Sequence, residues 1–230
     1  MTESRLQHRP LRHIWYLFCR FISVGTVAAL YRLKTWGREN VPADGPLLVV
    51  CNHQSFFDPM LSQTWVKRPF YFVPRDTLLN VRFWGRLMAS FYVIFIRQGQ
   101  ADIAAMKTII ESLKEGKAVC LYPEGTRTYD GRIDNIKPGF SLMSRRSGAP
   151  VLPVVIDGMF EAWPRTQKYP KRGRVGVMYG KPFSADQIKA LGDEAFAEEL
   201  TRTLRAMQAD LRQKMGREPF EYQDMSKKML

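Results

Sequence analysis

The chain has 230 residues, a length that fits one domain, and 45% of them are hydrophobic, which excludes a globally disordered protein. A formal net charge of +13 points to an anionic partner, whether nucleic acid, an acidic membrane surface or a phosphorylated substrate. Cys19, Cys51 and Cys120 form no CxxC pair and join no Cys/His cluster with metal-ligand spacing, so they read as three buried thiols of a reducing compartment.

The first element, Ile14 to Tyr31 (IWYLFCRFISVGTVAALY), is apolar apart from Arg20, Ser23, Gly25 and Thr26. A spanning helix needs about 20 apolar residues, and an arginine in mid-segment costs roughly 2.5–3.5 kcal/mol, so a span is marginal. The segment lacks a small-residue cleavage site of the signal-peptide kind. Arg5, Arg9 and Arg12 precede it and Arg32, Lys34 and Arg38 follow it. Trp15, Tyr16, Tyr31 and Trp36 lie toward its two ends, where amphipathic rings prefer the headgroup level. The pattern predicts a helix lying in a membrane interface, with a buried core helix as the alternative. Residues 1–40 are accordingly expected to form a membrane-associating helical segment, and residues 41–230 an α/β domain.

Downstream, short apolar runs alternate with helical patterns. The turn Ala43-Asp44-Gly45-Pro46 leads into a strand at Leu47 to Cys51, and Phe70 to Val73 and Tyr92 to Ile96 are two more. Ala101 to Leu113 has helical spacing and ends near Gly116. Ala118 to Tyr122 and Val151 to Ile156 are strands, the second placed at an edge or broken, because Pro153 has no N–H to give to a ladder. Arg174 to Tyr179 is the last strand. Asp193 to Lys214 is a long amphipathic helix, with Phe196, Leu200, Leu204, Met207 and Leu211 at spacings of three and four. This order predicts an α/β fold with a largely parallel or mixed sheet flanked by helices. Open sheets of this kind bind ligands beyond the carboxyl ends of their strands, which is where the polar motifs fall.

The first strand runs into Asn52-His53-Gln54-Ser55-Phe56-Phe57-Asp58-Pro59. A histidine at a strand end can take and return a proton near neutral pH. A carboxylate five residues on can fold back to the imidazole, fix its tautomer and stabilise the imidazolium, as the Asp of a hydrolase triad does. The competing reading makes Asp58-Pro59 a helix start, with Asp as N-cap and Pro at the first helical position. Ser55 lacks the Gly-flanked elbow of a nucleophilic serine.

With its later motifs added, the chain resembles the glycerolipid acyltransferase family, and most of all the bacterial 1-acyl-glycerol-3-phosphate acyltransferases. The family block Asn-His-x4-Asp stands as Asn52, His53 and Asp58. Phe-Pro-Glu-Gly-Thr-Arg-Ser stands as Tyr122-Pro123-Glu124-Gly125-Thr126-Arg127-Thr128, the Pro-bearing strand as Val151-Leu152-Pro153-Val154, and a Lys-Pro-Gly as Lys137-Pro138-Gly139. The second block departs: where members end a strand in Asp-Arg or Arg-Arg before Gly, this chain has Ile96-Arg97-Gln98-Gly99. Either Arg97 takes over that phosphate contact or Gln98 makes a neutral one.

The resemblance implies that His53 removes the proton of an acceptor hydroxyl, which attacks a thioester directly, while Asp58 orients His53. It implies that Arg127 and Lys137, with Arg97 as a third, face the acceptor's phosphate. Glu124, Gly125 and Thr126 complete the substrate site, Glu124 binding acceptor hydroxyls or holding an arginine. The implied partners are a lysophospholipid acceptor, acyl-CoA or acyl carrier protein as co-substrate, and an anionic membrane surface, with no cofactor, metal or nucleic acid. The expected place is the cytoplasmic face of the cell membrane, attached peripherally or monotopically. Phe56, Phe57, Met60, Phe70, Phe72, Phe83, Trp84, Met88, Phe91 and Phe95 divide between core and an acyl groove, and the basic residues from Arg165 to Lys181 face either headgroups or solvent. The alternatives are transfer to another lyso-lipid or aminolipid, a phospholipid transacylase, and a basic nucleic-acid-binding module. The last shows no RNP-like, zinc-finger or helix-turn-helix signature.

Overall fold

A computed structural model describes residues 10–73, 92–94 and 102–222. The helices are α1 (Pro10–Tyr31), α2 (Asp58–Leu61), α3 (Asp102–Lys114), α4 (Gly139–Ser147), α5 (Met159–Ala162), α6 (Ala185–Leu191) and α7 (Asp193–Lys214). The strands are β1 (Lys34–Trp36), β2 (Leu47–Cys51), β3 (Phe70–Phe72), β4 (Ala118–Leu121), β5 (Val151–Asp157) and β6 (Gly176–Tyr179). They form one sheet in the order β1-β6-β5-β2-β4-β3. The block β5-β2-β4-β3 is parallel. β6 runs antiparallel to β5, and β1 is parallel to β6, so the sheet is mixed.

The strands read as continuous apolar runs because both faces of the sheet are covered. On one face Leu48 and Val50 of β2, Val119 of β4 and Val151 and Val155 of β5 pack under Ile109 and Leu113 of α3 and Phe196, Leu200, Leu204 and Leu211 of α7. On the other, Leu47, Val49 and Cys51 join Phe70, Phe72, Cys120, Leu152, Val154 and Ile156, with Val27 and Tyr31 of α1 and Leu61 of α2 over them. Burying each such side chain stabilises the fold by roughly 1.5–3 kcal/mol. Tyr92–Ile94 extends the sheet beyond β3 through a parallel bridge between Phe72 and Val93. The remainder of that expected strand lies outside the described residues.

Pro153 corrects one expectation. β5 is an interior strand and it is unbroken. The Pro153 carbonyl accepts from Gly180 N at 2.9 Å, while the ladder with β6 starts one residue later, at Val154 paired with Tyr179. The missing N–H therefore falls at the end of that ladder, between the Val154–Tyr179 pair and the isolated Val151–Phe183 bridge, where its absence interrupts the pairing least.

α1 divides along its length. Val24, Val27 and Tyr31 are buried against the sheet, whereas Ile14, Trp15, Leu17, Phe18, Phe21 and Ile22 stay exposed. Arg20 lies between the two parts and donates to the backbone carbonyls of Gln63 and Val66, pinning the helix to the turn after α2. Among the described residues no helix is long and apolar enough to cross a membrane. β1, which falls within the expected N-terminal segment, is an edge strand of the same sheet.

Candidate active site

β2, β4 and β5 are parallel, so their carboxyl ends open on one edge of the sheet, and the loops that follow them meet there. The loop after β2 is fixed by its carboxamides. Asn52 donates to Ile156 O at 2.9 Å and accepts from Ile156 N at 2.8 Å, prolonging the β2–β5 ladder through a side chain. Gln54, fully buried, accepts from the N–H groups of Met159 and Phe160, both at 3.1 Å, at the start of α5, and donates to Gly131 O at 3.3 Å.

Between these two anchors stands His53. Its Nδ1 lies 2.7 Å from Asp58 Oδ2, which also accepts from Gln54 N at 2.5 Å and Ser55 N at 2.7 Å. Three donors on one oxygen hold a carboxylate that is 0% exposed, while the imidazole keeps 20% of its surface open. The structure corrects the N-cap reading of Asp58. This residue is the first of α2, yet Phe57 occupies the N-cap position without a side-chain bond, and the Asp58 carboxylate turns back into the loop instead of capping its own helix. The imidazole stacks on the Tyr122 ring at 4.4 Å between centroids. The Ser55 hydroxyl is buried with no hydrogen-bond partner among the described residues, which removes it from any exposed chemistry.

The loop after β4 turns tightly at Tyr122-Pro123-Glu124-Gly125, closed by Gly125 N donating to Tyr122 O at 3.0 Å; Pro sets the second position, and Gly125, at φ 64°, leaves it. Thr128 N then donates to His53 O at 2.7 Å, locking this loop to the first. The Thr128 hydroxyl accepts from Gly131 N at 3.1 Å and reaches Arg132 O at 3.1 Å, a function Ser would serve equally. Glu124 faces inward. Its Oε1 receives a long bond from His53 N at 3.4 Å, and its Oε2 has no partner among the described residues. Burial, reinforced by Asp134, Asp58 and Asp130 against the opposing bond from His53, pushes this carboxyl up to about 8. No arginine is ion-paired with it among the described residues.

Arg127 lies across the Phe56 ring, its guanidinium carbon 3.7 Å from the centroid. Desolvation, and then the charge of Arg165, hold it below the usual arginine range. Arg165 comes from the loop after α5, stacks on Tyr129 at 4.1 Å and donates to Thr126 Oγ1 at 3.4 Å. Lys137 stands exposed just before α4, on a segment that Thr201 and Arg205 hold against α7. No hydrogen bond or ion pair among the described residues joins it to the His53 loop. Arg97 and Gln98 lie outside the described residues.

The geometry thus brings together His53, Asp58, Glu124, Gly125, Thr126 and Arg127. Sequence reasoning gave no role to three neighbours. Asn52 and Gln54 serve backbone groups distant in sequence, and Arg165 was visible only as one charge of a basic stretch.

The family model described as Acyltransferase matches residues 32–157, which include both loops. A 1-acyl-sn-glycerol-3-phosphate acyltransferase of Pseudomonas aeruginosa is 31% identical over 200 residues, 84% of this chain and 74% of that protein. A chloroplastic 1-acyl-sn-glycerol-3-phosphate acyltransferase of Arabidopsis thaliana is 28% identical over 174 residues, 74% of this chain and 49% of its own length. The chain spans about half the length of such chloroplast relatives. The crystal structure of the 1-acyl-sn-glycerophosphate acyltransferase PlsC from Thermotoga maritima shares the fold, with a TM-score of 0.75 over 92% of this chain and 85% of that one, at 22% identity. With the family model covering more than half of its length and the Pseudomonas relative most of it, the chain belongs to the acyltransferase family.

Proposed function

We propose that this chain transfers a fatty acyl group from acyl-CoA or acyl carrier protein to the free hydroxyl of 1-acyl-glycerol-3-phosphate, giving phosphatidic acid for phospholipid synthesis. The observation that carries the reading is the His53–Asp58 pair at 2.7 Å, seated at a strand end beside an arginine with no carboxylate partner among the described residues. The names of the bacterial and chloroplast relatives support the choice of acceptor.

With Nδ1–H donated to Asp58, the remaining ring nitrogen of His53 carries the lone pair. That nitrogen takes the proton of the acceptor hydroxyl as the hydroxyl oxygen bonds to the thioester carbonyl carbon. The tetrahedral adduct collapses, the C–S bond breaks, and the departing thiolate recovers the proton from the imidazolium. Asp58 stays ionised throughout and offsets the imidazolium charge. Arg127 binds the acceptor phosphate through its fork of N–H donors, which also sets the hydroxyl's position relative to His53. Lys137 and Arg97 add positive charge toward the same phosphate. Glu124, Gly125 and Thr126 shape the wall between the two loops. The reaction needs no cofactor or metal beyond the thioester co-substrate.

The exposed apolar side chains of α1 support attachment to one leaflet, the one facing the compartment that supplies the thioester, with the basic flanks on anionic headgroups. The test is a radiolabelled acyl-CoA assay, repeated with acyl carrier protein, over a panel of lyso-lipids, sugars and water. Label in phosphatidic acid that depends on 1-acyl-glycerol-3-phosphate supports the reading. Label moving from a phospholipid donor without any thioester, or no transfer at all from the folded chain, refutes it.

A further inference from the structure

We propose that Arg165, which lies outside the acyltransferase sequence blocks, is a second phosphate ligand beside Arg127, and that the two together select an acceptor ending in a phosphomonoester over one carrying a phosphodiester. The inference rests on the acyl-transfer reading above and extends it to acceptor selection.

Both guanidiniums lie over aromatic rings, Arg127 at 3.7 Å from the Phe56 centroid and Arg165 at 4.1 Å from Tyr129. Stacking of this kind occupies the face of a guanidinium and leaves its edge donors free. Neither takes part in an ion pair among the described residues, whereas Arg132, Arg145, Arg202, Arg212 and Arg217 all do. Arg165 makes a long hydrogen bond to Thr126 Oγ1, at 3.4 Å, and Thr126 is the neighbour of Arg127. The two charges are close enough that Arg165 depresses the protonation of Arg127. Asp58 offsets part of that repulsion, and an anion entering between the two offsets more.

The surroundings fix the pair at the site and not elsewhere. Phe56 follows His53 by three residues, and Phe56 and Phe57 pack on Trp163 at 6.4 and 5.1 Å between centroids. Trp163 precedes Arg165 by two residues, and its indole N–H donates to Gln167 O at 3.1 Å, closing the loop that carries Arg165. Lys171 N, donating to Ala162 O at 2.7 Å, closes the loop a second time.

The chemistry of the ligand follows from counting charges and oxygens. A phosphomonoester carries about −1.5 to −2 charge at pH 7 and three free oxygens. It can satisfy two forked donors. A phosphodiester carries one charge and two free oxygens, enough for one fork, and offers the second fewer acceptors and less charge.

The test uses the purified full chain in mixed micelles, with acyl-CoA as donor and two acceptors, 1-acyl-glycerol-3-phosphate and 1-acyl-glycerophosphoglycerol. Arg165→Gln is expected to raise KM for the monoester acceptor by about 10- to 100-fold, the range for losing a charged hydrogen bond. It should leave kcat and the donor KM within a few fold, and shrink the monoester preference by a similar factor. Arg165→Lys should recover part of the loss, since a point charge replaces a fork. Lys189→Gln, which removes an equal charge from α6, should change nothing. An unchanged monoester KM in Arg165→Gln, or an equal loss on both acceptors, overturns the inference while the acyl-transfer reading stands. Should Arg165→Gln fail to fold, full activity and full preference in Arg165→Lys overturn it instead. A wild-type chain that is folded but inactive on every acceptor removes the acyl-transfer reading and this inference with it.

Discussion

Glu124 gives the sharpest physical forecast, because its consequence for stability has a sign and a pH window. Unfolded, the carboxyl ionises near its ordinary 4.5; folded, it ionises near about 8, chiefly through burial. Between those values the folded chain holds a proton that the unfolded chain has released. The unfolded state then binds fewer protons, so stability falls as pH rises from about 4.5 to 8. Each pH unit in the window costs about 1.4 kcal/mol, which makes roughly 4 kcal/mol the ceiling by pH 8, and relaxation of the site brings the real figure to on the order of 1–4 kcal/mol. Glu124→Gln removes the titration, keeps an oxygen for His53 N–H and nearly preserves shape. The variant should match the wild type near pH 5 and be more stable than it by a few kcal/mol near pH 8. Urea unfolding at half-unit pH steps reads this directly as a gap in midpoint that opens with pH. A gap of constant size from pH 5 to 8 means that the carboxyl is not held protonated, and the reasoning from its burial and acidic neighbours fails.

His53→Ala is expected to abolish transfer in a folded chain, and Asp58→Asn to lower kcat by about 1,000- to 10,000-fold, the scale seen when a histidine loses its orienting carboxylate; steady-state rates decide, and near-normal turnover in either variant sinks the mechanism. Arg127→Ala should raise the acceptor KM about 10- to 100-fold with the donor KM little changed, whereas a loss confined to the donor would assign Arg127 to the thioester. Phe18→Ser combined with Phe21→Ser should weaken binding to anionic vesicles at least tenfold, roughly the loss from exposing two aromatic side chains again, and spare activity on a short-chain monomeric acceptor; equal sedimentation of variant and wild type counts against attachment through α1. Substitution is a cleaner probe than deleting the helix, since deletion strips Val24, Val27 and Tyr31 from the core.

What the sequence revealed and what it withheld separate along one physical line. α7 was legible to both ends, because Phe196, Leu200, Leu204 and Leu211 repeat at helical spacing and all are buried on one face. β2, β4 and β5 were legible as short apolar runs, since a strand covered on both sides has no polar face to show. The His53–Asp58 pair could be reached from spacing because both ends of the contact lie in one turn. Contacts that close across the sheet had no such local sign. Asn52 meets Ile156, 104 positions away, and Gln54 meets Met159, 105 positions away. Each is a carboxamide spent on backbone groups that only the assembled sheet leaves in need of a partner.

The same line runs through the charges. A basic residue advertises its sign in the sequence but not its neighbour. Arg212 and Arg217 converge on the buried Asp157, both at 3.0 Å, and so belong to the fold. Arg127 and Arg165 join no ion pair among the described residues and lie on aromatic rings beside the His53 loop. A buried ion pair answers a structural need within the chain, while on the acyl-transfer reading the two cations beside His53 are kept for the phosphate of the acceptor. On that reading Arg127 and Arg165, two of the 35 basic residues behind the +13 net charge, tie the excess charge to a phosphorylated acceptor through their place beside His53, more directly than any count of lysines and arginines.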